Sequence, residues 1–240
     1  MAKKVYLGVG HGGSDPGAVG NGFKEKDLNL TIALACKKEL ERHKVQVKIS
    51  RTTDKAVWLE ERIAQANAFD ADLAADIHIN AGGGKGAEVY HSVNGGEGKS
   101  LALNIMKEFK AIGQNAHSTK PSDYKTGAKV RKNSSGADYF GFIRQTKMTA
   151  VLVENAFIDN KEDIKLLNTA AKQKALGVAI AKGILKTLEI PYQAEKPTKT
   201  SNTIYRIQLG AYSSKSNAEK QLKKVKAAGF KEAVIVAEKK

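Results

Sequence analysis

Cysteine is almost absent from this sequence of 240 residues, which contains only Cys36. One cysteine cannot form a disulfide within the chain or build a cysteine-based zinc site, so any metal must use histidine and carboxylate ligands. Because Cys36 falls within a helical pattern of apolar residues, we interpret it as a small buried apolar side chain.

Long hydrophobic runs are also missing from the sequence. No apolar stretch approaches the ~20 residues that a membrane-spanning helix needs, so membrane insertion is not expected. The apolar stretch behind Lys3 and Lys4 is too short for the core of a signal peptide. We therefore expect a protein made in the cytoplasm without a signal peptide, which reaches any extracellular target after release by lysis or through a holin.

Acidic residues are scarce relative to basic ones, since 40 lysines and arginines against 25 aspartates and glutamates give a net charge of +15. Such an excess favours polyanionic partners, namely nucleic acid, anionic lipid or an acidic cell-wall polymer. The lysines form no recognisable groove-reading or RNA-binding motif, so a nucleic-acid partner is not expected. A hydrophobic content of 41% suits a globular protein with a core.

Predicted strands and helices alternate along most of the chain. Strands are predicted at 5–9, 45–49, 72–79, 87–91, 139–143 and 150–153, and helices at 26–43, 58–69, 101–112, 162–168 and 170–188. This alternation is typical of an α/β domain with a mostly parallel, doubly wound sheet flanked by helices. The polar, basic segment 113–135 is long enough to be a functional loop.

The end of the chain has a different character. Residues 191–202 contain two prolines among lysines, threonines and a serine and are predicted to be a linker. Beyond it, a strand at 203–210, a helix at 214–228 and a strand at 232–237 predict a small βαβ unit. This unit is too short to form a stable core of its own.

The first strand runs into a glycine cluster that carries His11. The cluster formally matches the dinucleotide pattern GxGxxG, but that pattern must open a helix, and turn residues continue here until about Glu25. A nucleotide site is therefore not favoured. The glycines leave the imidazole uncrowded, so that a hydrated metal ion can approach it.

Three further side chains are expected near His11. His78 and Glu154 follow or end predicted strands, and Glu25 begins the helix after the first strand, so all lie at the edge where ligands bind in α/β sheets. Two imidazoles and a carboxylate form the ligand set of an open catalytic zinc site, and a further carboxylate can move protons. Spacing alone does not decide whether Glu25 or Glu154 is the ligand.

Other polar residues near these positions allow more than one interpretation. Asp76 either supports His78, two residues away, or faces solvent. Glu154 also fits an ordinary carboxylate at a strand end. Of the remaining histidines, His43 is expected as a solvated residue at a helix end, and His91 and His117 are expected on the surface.

Taken together, the motifs resemble those of the zinc-dependent N-acetylmuramoyl-L-alanine amidases of bacteria and phages. They span residues 3–188 and occur in the family's order: Gly10-His11-Gly12-Gly13 with Asp15 and Gly17, Glu25-Lys26, Arg51 with Asp54, Arg62 with Ala66-Asn67, Ile77-His78-Ile79-Asn80, and Val153-Glu154-Asn155 with Phe157-Ile158-Asp159-Asn160.

The resemblance implies a fold, a reaction and a role for each candidate residue. It implies that His11, Glu25 and His78 bind Zn²⁺ and that Glu154 is the catalytic carboxylate. The implied reaction is hydrolysis of the amide between N-acetylmuramic acid and L-alanine in peptidoglycan, by a phage endolysin or a mother-cell autolysin. The alternative is a zinc peptidase that cuts within the stem peptides.

The sequence departs from the family pattern at two places. The Asp-Pro that usually precedes the Gly-His is replaced by Gly8-Val9, and the small residue usually found two positions before the second histidine is Asp76. Neither change touches a proposed ligand. Both concern residues that would orient the ligands.

The tail resembles one half of a SPOR-type cell-wall-binding domain, in the run 205–212 and in Asn217-Ala218. The resemblance implies a catalytic domain over 1–190, a linker over 191–202 and a wall-targeting unit over 203–240, with peptidoglycan as the partner. A full domain of this type has two such units. We therefore expect two chains to pair their tails into one complete sheet, in a homodimer or a transient association.

Overall fold

The computed structural model describes residues 2–117, 126–195 and 207–237. The chain divides into two compact units between Ala194 and Glu195. Parts of the predicted loop 113–135 and of the predicted strand 203–210 lie outside the described residues. Within the described part of the chain, no helix combines the length and the apolar character needed to cross a membrane.

The first unit alternates strands and helices. Its strands are β1 (Lys4–Val9), β2 (Val19–Gly20), β3 (Phe23–Lys24), β4 (Gln46–Ile49), β5 (Leu73–Asn80), β6 (Glu88–His91), β7 (Ala128–Lys129) and β8 (Thr149–Phe157). Its helices are α1 (Glu25–Arg42), α2 (Leu59–Phe69), α3 (Gly96–Ala111), α4 (Gly141–Gln145) and α5 (Ala170–Thr187), with a 3₁₀ helix at Asp163–Leu166.

Six of these strands form one sheet in the order β4-β1-β5-β8-β6-β7. The first four are parallel to one another, whereas β6 runs antiparallel to β8, and β7 runs parallel to β6. The short strands β2 and β3 form a separate antiparallel pair. The predicted α/β fold with a mostly parallel sheet is therefore confirmed.

Helices cover both faces of the sheet because its central strands are apolar on both faces. In β1, Val5 and Leu7 face the core beneath α1, α3 and α5, while Tyr6 between them faces the smaller cluster beneath α2 and α4. This alternation follows from the twofold period of side chains along a strand. Cys36 is fully buried in the larger core, as predicted.

The strand predicted at 139–143 is wrong, because this segment enters helix α4. Its apolar residues pack on a face of the sheet: Phe142 is 1% exposed, and its ring stacks on that of Tyr6 with centroids 6.2 Å apart. The strand β6 already pairs with β8 and β7 on its two sides. A short apolar run with a helix start could not be told from a strand by its pattern alone.

The second unit contains one helix in its described part, α6 (Lys215–Ala227). No strand occurs within 207–237, so the predicted strand at 232–237 is wrong. Of the predicted βαβ unit, only the helix is found among the described residues. An isolated strand needs a neighbour for its backbone hydrogen bonds, and a single half-repeat supplies no stable sheet.

The contact between α5 and α1 depends on a glycine. A Cβ atom at Gly177 would lie 2.4 Å from the carbonyl oxygen of Ile32. We expect Gly177→Ala to lower the free energy of unfolding by about 1–3 kcal/mol through overpacking, measured by urea denaturation. Gly98→Ala in α3 is the matched control, since its Cβ would meet nothing closer than 3.6 Å. Equal effects of the two changes would contradict this account of the packing.

Candidate metal centre and catalytic edge

The predicted site residues meet at the edge formed by the carboxyl ends of β1, β5 and β8. His11 follows β1 in a loop, and His78 lies in β5 opposite Glu154 of β8. The strand β8 extends to Phe157, beyond the predicted 150–153, because β5 pairs with it at Glu154 and Phe157, while β6 pairs with it only as far as Glu154. Glu154 therefore lies within a strand rather than after one.

The pairing of β5 with β8 becomes irregular next to the site. His78 pairs with Glu154 and Asn80 pairs with Phe157, so β8 has one more residue than β5 over this stretch. Irregularities of this kind redirect side chains near active sites. The Asn155 side chain donates to the carbonyl oxygen of His78 at 2.9 Å, which ties the two strands together at this point.

Glu25 lies between the two histidines. It is the first residue of α1 and is 4% exposed. Its Oε2 lies 3.2 Å from Nε2 of His11, and its Oε1 lies 3.0 Å from Nδ1 of His78. One ligand atom from each side chain lies within 4.8 Å of the other two, and no other group of three such side chains in the described residues is arranged to hold a metal ion.

Two glycines make this convergence sterically feasible. A Cβ at Gly10 would lie 2.2 Å from the ring of His78, and a Cβ at Gly17 would lie 2.6 Å from Oε2 of Glu25. Gly17 also has a φ of +63°, which side chains rarely tolerate. The glycine cluster thus makes room for all three side chains, whereas the sequence indicated only that His11 would be uncrowded.

Two residues of the family motifs, Arg51 and Asp54, fix the glycine loop through hydrogen bonds. The Arg51 guanidinium is 2% exposed and donates to the carbonyl oxygens of Gly10 and Lys26 at 3.1 and 2.7 Å. Asp54 accepts from the Gly13 amide and from Nζ of Lys26, each at 2.7 Å. These bonds connect the loop to the start of α1, where Glu25 lies.

Each histidine has a carboxylate on the nitrogen that points away from Glu25. Nδ1 of His11 lies 2.7 Å from Oδ2 of Asp15, and Nε2 of His78 lies 3.3 Å from Oδ2 of Asp76. Asp76 is 1% exposed, so the solvent-facing interpretation of this residue is wrong. Carboxylates in these positions orient imidazoles and raise their basicity.

The electrostatics of the cluster favour bound positive charge. Burial alone raises the pKa of Glu25, but hydrogen bonds with His11 and His78 outweigh it and hold that pKa well below its ordinary range. Burial lowers the pKa of His78, yet Asp76 and Glu25 together raise it to about 10. The cluster therefore attracts cations, and a proton and a metal ion compete for the same nitrogen atoms.

Glu154 has a different environment from Glu25. Its Oε2 is buried and has no hydrogen-bond partner among the described residues. Burial raises the pKa of Glu154 to about 7; His78 opposes this shift, and Glu25 and Glu88 add to it. A carboxylate with a pKa near neutrality can both accept and return a proton.

Glu88, which the sequence did not single out, lies directly opposite Glu154 on β6. It is 4% exposed, forms an ion pair with Lys129, and accepts from Asn80 at 2.8 Å and from the Tyr90 hydroxyl at 3.0 Å. A buried charge is normally paired and hydrogen-bonded in this way. The sequence feature that could have indicated this role is the position of Glu88 next to apolar residues at the start of β6.

The other histidines contribute nothing to the cluster. His43 stacks on Tyr192 with ring centroids 5.1 Å apart, and His117 packs on Phe157 at 4.8 Å. His91 is 6% exposed, with Nδ1 2.8 Å from the Ser92 carbonyl oxygen. The surface position expected for His91 is therefore wrong, and so is the solvated position expected for His43, whose side chain is 3% exposed.

Comparisons with known proteins agree with this geometry. The family model described as N-acetylmuramoyl-L-alanine amidase matches residues 5–186, and the SPOR domain model matches residues 181–237. The amidase CwlM of Bacillus licheniformis is 34% identical over 234 residues, which cover 97% of this chain and 84% of that protein. The endolysin of Bacillus phage SPP1 is 36% identical over 215 residues, which cover 82% of this chain and 73% of that protein.

Solved structures give the same result. The amidase AmiC2 of Nostoc punctiforme superimposes with a TM-score of 0.67 at 30% identity, over 78% of this chain and 97% of that one. The chain therefore belongs to the N-acetylmuramoyl-L-alanine amidase family and carries a SPOR domain match at its C-terminal end.

Proposed function

We propose that this amidase cleaves the bond between N-acetylmuramic acid and L-alanine with a zinc ion held by His11, Glu25 and His78, and that Glu154 is its catalytic carboxylate. The observation that carries the proposal is the convergence of two imidazoles and one carboxylate within 4.8 Å at the edge of the sheet. Family membership supplies the reaction.

The residues present fit zinc on two grounds. Two nitrogen ligands and one carboxylate are a set that catalytic zinc sites use. The outer nitrogens of His11 and His78 are engaged by Asp15 and Asp76, which leaves Nε2 of the first and Nδ1 of the second turned toward Glu25. When bound, zinc polarises a substrate carbonyl and makes a water molecule more acidic.

Glu154 supplies the proton transfers in this proposal. Its Oε2 has no hydrogen-bond partner among the described residues and can accept the proton of the attacking water, and the carboxylic acid so formed can deliver that proton to the amine of L-alanine as the amide bond breaks. A pKa raised to about 7 supports both steps at neutral pH. Glu25, whose pKa is low and whose oxygens face both imidazoles, is suited to a ligand role instead.

Metal removal and two glutamate substitutions test these roles. Chelation should abolish release of stem peptides that begin with L-alanine, and added zinc should restore it. Glu154→Gln should keep one zinc per chain but lower kcat by about 10²–10⁴-fold, because only the proton transfer is lost. Glu25→Gln should lose the metal itself. Metal analysis and mass spectrometry of the peptidoglycan products measure both quantities.

Three results would contradict the proposal. Full activity after chelation would remove the metal from it, and full activity of Glu154→Gln would remove the assigned proton carrier. Products cut inside the stem peptide, with L-alanine still attached to the glycan, would favour the zinc peptidase alternative.

We also propose the division of the chain into a catalytic domain at 1–190, a linker at 191–202 and a wall-targeting unit at 203–240. The SPOR match over 181–237 and the division between Ala194 and Glu195 support this arrangement. The net charge of +15 favours approach to anionic wall polymers. Similarity to a phage endolysin supports action on the wall after release by lysis.

A homodimer through the C-terminal unit forms part of the same proposal. The described residues of that unit leave large apolar side chains in solvent: Ile207 is 91% exposed, Val234 76% and Phe230 64%. Exposed apolar groups of this extent within so short a unit are typical of an interaction surface. A second copy of the same half-repeat supplies the missing neighbour for its extended segments.

The oligomeric state of the whole chain tests the homodimer. Its mass, measured by light scattering and sedimentation at micromolar concentrations, should approach that of two chains, and Val234→Glu should return it to one. Val19→Glu is the control, because Val19 is 63% exposed but belongs to the first unit. A single-chain mass for the unsubstituted protein at every concentration would contradict pairing.

A further inference from the structure

The two departures from the family pattern face each other in the structure. Gly8 of β1 and Asp76 of β5 are direct partners across the two parallel strands. A Cβ atom at Gly8 would lie 2.1 Å from Oδ1 and 2.9 Å from Cγ of Asp76. The carboxyl group of Asp76 therefore occupies the space into which a side chain at position 8 would extend.

The departures are thus reciprocal. The family resemblance implies an aspartate at position 8 and a small residue at position 76, whereas this chain has glycine at position 8 and aspartate at position 76. A side chain at position 8 would displace the carboxyl group of Asp76 from its observed position, so the two positions compete for this space. The pair of changes moves one carboxylate from β1 to β5.

We propose that Asp76 is a positioning residue that replaces the carboxylate usually carried at position 8 and holds His78 toward the metal position. This inference rests on the zinc site proposed above. Oδ2 of Asp76 lies 3.3 Å from Nε2 of His78, while Nδ1 of the same ring lies 3.0 Å from Glu25. Asp76 thus acts on the metal only through the orientation and basicity of the imidazole.

Arg62 holds Asp76 in this position. Its Nη2 donates to Oδ2 of Asp76 at 3.3 Å, and its Nη1 donates to the carbonyl oxygen of Val57 at 3.1 Å. Asp76 and Arg62 are 1% and 7% exposed, so solvent cannot replace either partner. The chain of contacts runs from the start of α2 through Arg62 and Asp76 to His78.

A purely structural ion pair between Asp76 and Arg62 is the competing explanation. It predicts that removal of Asp76 destabilises the fold, because Arg62 is left buried and unpaired. It predicts no change in zinc affinity in the protein that remains folded. It also gives no reason why a carboxylate at position 8 should restore that affinity.

Four proteins separate the two explanations: the unsubstituted chain, Asp76→Ala, Gly8→Asp and the double variant Gly8→Asp/Asp76→Ala. Zinc affinity is measured by competition with a chromophoric chelator, and the stability of each metal-free protein by thermal unfolding. Asp76→Ala should bind zinc about 10- to 100-fold more weakly. Gly8→Asp alone should be the least stable, since two carboxyl groups then share one space.

The double variant carries the sharpest expectation. It should regain a zinc affinity within a few-fold of the unsubstituted chain, because the carboxylate returns to the same space from β1. An affinity no better than that of Asp76→Ala would overturn the exchange, and an unchanged affinity in Asp76→Ala would overturn the positioning role. If Asp76→Ala does not fold, the near-isosteric Asp76→Asn should still show weaker zinc binding.

The result for the unsubstituted chain separates this inference from the proposed function. If that chain binds no zinc, the proposed metal site is wrong and this inference fails with it. If that chain binds zinc and loses it in Glu25→Gln, while Asp76→Ala binds normally, the metal site stands and only the positioning role is wrong.

Discussion

The burial of Glu25 between two imidazoles is the constraint on which the site depends. A carboxylate that is 4% exposed must be matched by positive charge and by hydrogen-bond donors. His11 Nε2 and His78 Nδ1 lie 3.2 and 3.0 Å from Oε2 and Oε1, and the amides of Ala18 and Ile79 donate to the same two oxygens at 2.9 and 3.1 Å. The tight glycine loop and the exact start of α1 follow from this requirement, because each donor must lie within reach of one of two oxygens.

The same edge holds a second glutamate under the opposite condition. Glu154 has an oxygen with no hydrogen-bond partner among the described residues. Burial and the nearby carboxylates raise its pKa to about 7, and the opposing effect of His78 does not prevent this. The pKa values of Glu25 and Glu154 thus differ because the Glu25 carboxylate is surrounded by hydrogen-bond donors and the Glu154 carboxylate is not. This contrast, invisible in the sequence spacing, is what separates the assigned ligand from the assigned proton carrier.

The sequence predicted those parts of the molecule that local patterns determine. The parallel core of the sheet and the convergence of His11 and His78 followed from apolar strands that end in polar residues. The sequence-based prediction failed where contacts between residues far apart in the chain determine the structure. The segment at 139–143 enters helix α4 and packs Phe142 on Tyr6, and the buried Glu88 is paired with Lys129 of β7. The strand predicted at 232–237 is likewise not formed, because no neighbouring strand is available to pair with it within the described residues.

Asp76 shows why the residues behind the ligands are harder to predict than the ligands themselves. His11 and Glu25 each occupy a loop or a helix start whose backbone no other segment duplicates, so their positions in the sequence are restricted. Gly8 and Asp76 are direct partners on parallel strands about 4.8 Å apart. In our proposal a carboxylate beside His78 can come from either position, because a side chain at position 8 would extend into the space that the Asp76 carboxyl group occupies. A sequence motif specifies which position carries the carboxylate, whereas the orientation of His78 depends only on where the carboxylate oxygen lies in space.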